Sequence, residues 1–181
     1  MKNRNAKFKT LKLQNKCVAF VDWANVYGWT KSLKKEVDEK KLFDYLKTYK
    51  EIKNINLYFG KDKHPKSINF IKNVYKIGFN VTTKPVKSIL IARFENKKIY
   101  RRKCDFDMEI CIDAHKAIKE KFNSFIFFTG DGDFEPLYKM LINLNKNVIV
   151  IYARNHLGRE IYQINKGLYK IAINYLGNLY K

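Results

Sequence analysis

SFIFFTGDGDFEPL, residues 124–137, decides the fold. Its first half, SFIFFT (124–129), is an almost unbroken apolar run. Such a run fits a strand buried on both faces, as in a parallel sheet covered by helices. Its second half is turn-rich and carries Asp131 and Asp133 directly after the strand, ahead of a helical stretch over 133–145. In an open parallel sheet, ligands bind beyond the carboxyl ends of the strands, where strand order reverses. These two acids therefore stand where such a sheet would place its chemistry.

Working outward, NVIVIYA (147–153) repeats the buried-strand pattern, and 158–165 and 168–177 read as helices broken at Gly158 and Gly167. Apolar surface on that final helix would support a homodimer. Upstream, CVAFVD (17–22) and INLYFG (55–60) read as strands, and FNVTTKPV returns to strand after Gly78. Helical spacing of apolar residues runs through 36–50, 65–77 and 106–121. SILIARF and KKIYRRK flank Glu95-Asn96 and form a short β-hairpin insertion around 88–102. Strands alternating with helices define an α/β domain with a parallel sheet flanked by helices. The expected organisation is a flexible basic arm over 1–15 and a single domain over 16–181.

With 181 residues and 46% hydrophobic content, the chain can bury a sizeable core. No apolar run approaches the roughly 20 residues of a membrane helix, and the basic N-terminus has no apolar segment of a secretory signal. A soluble, cytoplasmic protein with no membrane partner is expected. Three cysteines, an odd and sparse count, argue against a disulfide scaffold. Thirty-seven Lys and Arg against seventeen Asp and Glu give +20, a field that favours polyanions, nucleic acid first. Bases crowd two stretches. Residues 1–16 hold Lys2, Arg4, Lys7, Lys9, Lys12 and Lys16 with no acid. Residues 84–103 hold Lys84, Lys87, Arg93, Lys97, Lys98, Arg101, Arg102 and Lys103 against Glu95 alone.

Against that background the acids at strand ends stand out. Asp22 ends the first strand, and Asp105, Asp107 and Asp113 surround the start of the helix over 106–121. Converging carboxylates repel unless a divalent cation neutralises them, and all-oxygen ligation suits Mg²⁺ or Mn²⁺. Each acid also has a plainer reading. Asp22, Asp131 and Asp133 can cap helices, Asp133 being the better cap, and Asp105 can cap the helix that follows it. Asp107 and Asp113, six residues apart, point about 120° from one another on a regular helix, so Asp107 is the better ligand. Asn25 either caps a helix or orients a ligand. Thr129 can offer its hydroxyl to a phosphate. Trp23, Tyr27 and Trp29 either stack on unpaired bases or pack in the core.

Three elements carry a family likeness. Val21-Asp22-Trp23-Ala24-Asn25 resembles the D-x-x-N element that opens NYN domains, including the LabA-like group. The stretch from Asp107 to Asp113 is similar to the helical D-x5-D element, and Thr129 to Leu137 to the S-G-D-[SG]-D-F-x-P-L element. The resemblance implies a PIN-like three-layer α/β/α sandwich with a mostly parallel central sheet, and a metal-dependent nuclease site most often linked with RNA. It implies Asp22, Asp107 and Asp131 as the main acids, supported by Asn25, Asp113 and Asp133. The chain departs from the pattern in two places. Lys103-Cys104-Asp105-Phe106 lacks the Lys-Gly pair that often precedes the helical Asp, and Asn165-Lys166 replaces an Ala-Asp pair near the C-terminus.

Two functions follow from these residues. One is an RNA-directed nuclease holding Mg²⁺ or Mn²⁺ on Asp22, Asp107 and Asp131, with Lys98, Arg101, Arg102, Lys103, Thr129 and Trp23 contacting nucleic acid. The other is a catalytically silent RNA-binding module on the same fold. No G-x-G-x-x-G follows the first strand, which argues against a dinucleotide-binding enzyme.

Overall fold

The computed structural model describes residues 8–95 and 97–181. Six strands, β1 (Cys17–Asp22), β2 (Ile52–Lys61), β3 (Asn80–Pro85), β6 (Ser124–Phe128), β7 (Asn147–Tyr152) and β8 (Leu168–Ala172), form one sheet in the order β3-β2-β1-β6-β7-β8. Every neighbouring pair is parallel. The order runs outward from β1 in one direction and outward from β6 in the other. The switch point therefore lies between β1 and β6, the two strands that end in the motif acids. Val21 pairs with Phe128, so Asp22 and Thr129 leave the sheet side by side.

Strand alternation divides the core. Cys17, Ala19 and Val21 face one layer, while Val18 and Phe20 face the other. The first layer holds α1 (Trp23–Gly28), α2 (Thr30–Leu33), α3 (Glu39–Lys47) and α4 (Pro65–Ile77). The second holds α5 (Asp107–Lys119), α6 (Glu135–Asn143) and α7 (Arg159–Gln163). Local signals set the helix ends. His64 caps α4 ahead of Pro65, and Gly78 stops it in the left-handed region at φ +115. The Lys84 ammonium donates to both Glu109 carboxylate oxygens at 2.7 Å and lies over the Phe106 ring, pinning the start of α5 to β3.

A separate antiparallel ribbon, β4 (Lys87–Phe94) with β5 (Lys97–Lys103), stands apart from the sheet. All of β5 is exposed, and β4 is exposed except at Ala92. The ribbon matches the expected hairpin, whose turn residue Asn96 lies outside the described residues.

Two expectations are corrected. Residues 168–177 are not a helix but β8 followed by a 3-10 turn at Ile173–Tyr175. A short apolar run suits either state, and here pairing with β7 satisfies the backbone that a helix would have satisfied internally. The homodimer argument from a final helix loses its footing with it. The arm also differs. Residues 1–7 lie outside the described residues, but the chain from Lys9 is tied to the body. Lys9 N–H donates to Tyr175 O, Leu11 N–H to the Tyr49 hydroxyl, and Gln14 N–H to Ser124 Oγ, with Leu11 buried. Among the described residues no helix is long and apolar enough to cross a membrane.

Candidate metal and nucleic-acid site

Asp22 is both the last residue of β1 and the cap of α1. Its Oδ1 accepts from Ala24 N–H at 3.1 Å and Asn25 N–H at 3.2 Å. The capping reading and the ligand reading therefore coexist, because Oδ2 makes no hydrogen bond among the described residues. Burial pushes the Asp22 carboxyl up to about 6; the Asn25 N–H opposes this, and the charges of Asp107 and Asp131 add to it. Asp107 opens α5. Burial raises its pKa, and Asp131, Asp105 and Asp133 raise it further, while Lys103 pulls it down. Asp131 caps the 3-10 turn at Gly132–Phe134, accepting from Asp133 N–H at 3.1 Å. Three segments distant in sequence thus place three mutually repelling carboxylates at the switch point.

Struts hold them there. Asn25 Oδ1 accepts from Gly130 N–H at 3.2 Å and from the Trp29 indole at 2.9 Å, tying α1 to the turn after β6. Gly130 allows the next strand's loop to approach: its carbonyl accepts from Gly158 N–H at 2.7 Å, and a Cβ there would lie 1.4 Å from His156 O. Any side chain at 130 would force the two loops apart.

Not every sequence-predicted residue joins this group. Asp113 does not: its carboxylate accepts from the Tyr58 hydroxyl at 2.9 Å and pairs with Lys116 at 2.9 Å, as the 120° offset from Asp107 requires. Asp133 is exposed and Asp131, not Asp133, is the cap. Asp105 does not cap α5 either; it pairs with Lys103 at 3.1 Å. Thr129 is buried, and its hydroxyl accepts from Asp131 N–H at 3.2 Å, so it shapes the turn instead of facing a phosphate. Trp23 is buried against Phe70, with ring centroids 5.1 Å apart, and offers no stacking face. Lys98, Arg101, Arg102 and Lys103 are exposed along β5, Arg102 pairing with Asp62.

Of the aromatics beside Asp22, Tyr27, 60% exposed, is the open one. Two residues here escaped the sequence reading of the site. Glu160 lies against Gly132; the only signal was an acid just after Gly158. Tyr138 of α6 is fully buried on Phe127, at 4.8 Å between ring centroids, and among the described residues its hydroxyl has no hydrogen-bond partner. Burial raises its pKa, as do the charges of Asp131, Asp22 and Cys111.

Among the described residues no three Asp, Glu, His or Cys side chains converge tightly enough to ligate one ion directly. The donor chemistry still fits Mg²⁺ or Mn²⁺. These ions keep several waters and need only one or two carboxylates, and the Tyr138 hydroxyl, buried without a partner among the described residues and within the field of Asp131 and Asp22, would suit the water shell of such an ion.

A parallel α/β domain with motif acids at its switch point is the arrangement of a PIN-like nuclease family. The chain belongs to the NYN domain family, whose model matches residues 16–164. Nucleases of that family typically use divalent metal. The chain is similar to the low amplitude and bright protein LabA of Synechococcus elongatus, at 25% identity over 150 residues, covering 78% of this chain and 76% of that protein. It also resembles the crystal structure of a protein of unknown function from Vibrio parahaemolyticus. The TM-score is 0.68 at 23% identity, covering 90% of this chain and 96% of the other. At that identity the likeness is one of fold.

Proposed function

We propose that this chain is a nuclease that hydrolyses phosphodiester bonds of RNA with Mg²⁺ or Mn²⁺ held at Asp22, Asp107 and Asp131. The observation that carries the reading is the placement of these three carboxylates within one another's field at the β1–β6 switch point, where burial and repulsion raise Asp22 and Asp107. A bound ion would relieve that repulsion, activate water and stabilise charge on the phosphate. Asn25 fixes the spacing between the Asp22 and Asp131 segments. The exposed bases of β5, which runs into α5 through Asp105 and Phe106, would hold the backbone of the strand.

A second reading is a nucleic-acid-binding module without turnover, and the spread of the carboxylates favours it. Cleavage of a labelled single-stranded RNA with Mn²⁺, with Mg²⁺ and with EDTA, beside an Asp131→Asn variant, separates the two. Metal-dependent cleavage lost in the variant supports the nuclease. Salt-sensitive binding with no cleavage under either metal replaces it with the binding module. Cleavage retained in the variant sinks the assignment of the site.

A further inference from the structure

Beside the carboxylates, on the β2 side of α1, opens a groove of about 1130 Å³. Its apolar wall is aromatic. Phe59 and Phe70 pack 4.5 Å apart between ring centroids, and Tyr27 of α1 lies open on the rim. Its charged groups balance: Glu36, Glu39 and Asp62 face Lys66, Arg102 and Lys181. Several are already paired, Asp62 with Arg102 and both glutamates with Lys181. On a protein of net charge +20 this neutral, aromatic groove contrasts with the basic ribbon at its edge.

The contrast sorts the two halves of a nucleotide. A phosphate gains little where charges are already paired, and is drawn to the free bases of β5. A nucleobase is flat and neutral, and gains most from an exposed aromatic ring. Tyr27 lies five residues along from Asp22, about 7.5 Å of helix rise, so both sit within the span of a nucleotide and its neighbour. We propose that this groove is a nucleobase subsite: an unpaired base next to the phosphate held at the carboxylates enters it and stacks on Tyr27. The proposal rests on reading the carboxylates as a phosphodiester site, and it makes unpaired nucleotides at that point a condition of binding. A base held in a duplex cannot enter the groove.

The test compares two labelled single strands of about ten nucleotides, an oligouridine and the same backbone without bases, bound by the Asp131→Asn protein in Mg²⁺. Tyr27→Ala is expected to weaken the oligouridine about tenfold and the base-free strand less than about twofold, and Tyr27→Phe to restore binding. Lys98→Ala with Arg101→Ala is expected to weaken both strands equally. Tyr27 is 60% exposed, so its replacement leaves the core intact. An equal loss for both strands in Tyr27→Ala, no loss for either, or no binding of oligouridine at all overturns the subsite. Wild-type protein that binds but never cleaves would sink the nuclease reading alone, since this comparison reads binding.

Discussion

The sheet and the ribbon are both β-structure, and they are built on opposite terms. In the sheet, β6 is buried along its whole length, and β1 and β7 are buried up to their last residues, β1 ending at Asp22. In the ribbon, β5 is exposed along its whole length and carries five bases in seven residues, Lys97, Lys98, Arg101, Arg102 and Lys103. The ribbon's root rests on Gly60, where a Cβ would come within 2.9 Å of both Val86 and Cys104. The difference teaches a division of labour. Repelling carboxylates need a rigid scaffold to hold them together, whereas backbone capture needs only exposed positive charge. Breaking one region should therefore leave the other working.

The largest expected effect is on turnover. Asp107→Asn is expected to lower metal-dependent cleavage at least about a hundredfold. Binding of the same RNA, read by fluorescence anisotropy, should stay within about twofold, because the ribbon is untouched. A parallel loss of binding would merge the two regions into one.

Next is the strain stored at the sheet end. Burial pushes the folded-state pKa of Asp22 up to about 6 from an ordinary value of 3.8, and EDTA keeps this carboxylate free of metal for the test. Between those values the folded chain binds more protons than the unfolded one. Stability from this group is thus fully present below about pH 4 and is lost as pH rises to about 6. The full loss is on the order of 3 kcal/mol. Asp22→Asn keeps the cap and abolishes the titration. Urea unfolding should show the variant more stable than wild type above pH 6, with the gap closing towards pH 4. A gap independent of pH would show that Asp22 carries no such strain.

Ribbon changes should be smaller and of another kind. Lys98→Ala with Arg101→Ala is expected to weaken RNA about tenfold at moderate salt, and to reduce the salt dependence by about 1.4 in log–log slope if each base meets one phosphate of a single strand. The melting temperature should not move by more than about 1 °C, since both side chains are exposed. A large loss of stability would show that the ribbon is part of the core.

The same contrast explains what could be read in advance. Strands buried on both faces announce themselves, so β1, β6 and β7 were legible in CVAFVD, SFIFFT and NVIVIYA, and so were the acids that follow the first two. The ribbon was legible from its bases and paired apolar runs. What failed depended on distant partners. Leu168 to Ala172 is a strand only because β7 lies beside it. Leu11 is anchored by Tyr49, far along the chain. At α1, six residues are too few to set a helical phase, so the sequence did not say that Trp23 turns inward and Tyr27 outward. The cap at Asp131 instead of Asp133 follows from where the strand ends, a boundary of one or two residues.

Tyr138 is the smallest effect and the one hardest to see beforehand, because it lies among Leu137 and Leu141 on a helix face that reads as ordinary core. Among the described residues its hydroxyl is buried with no partner, while the charges of Asp131 and Asp22 act on it. A polar group in that position is a liability, and replacing it with an apolar group of the same shape is neutral or favourable. Tyr138→Phe is therefore expected to stabilise the protein in EDTA by about 1 kcal/mol, a rise in melting temperature of roughly 3 °C. With saturating Mn²⁺ the balance should reverse. Wild type gains stability from the ion by mass action and from a partner for the hydroxyl in the ion's water shell, while the variant gains only the first. The measurement is thus the difference between two melting shifts, Mn²⁺ against EDTA, in wild type and variant. A smaller shift in Tyr138→Phe places the hydroxyl beneath the ion and extends the rigid, chemical half of the molecule down into α6. Equal shifts confine that half to the three carboxylates.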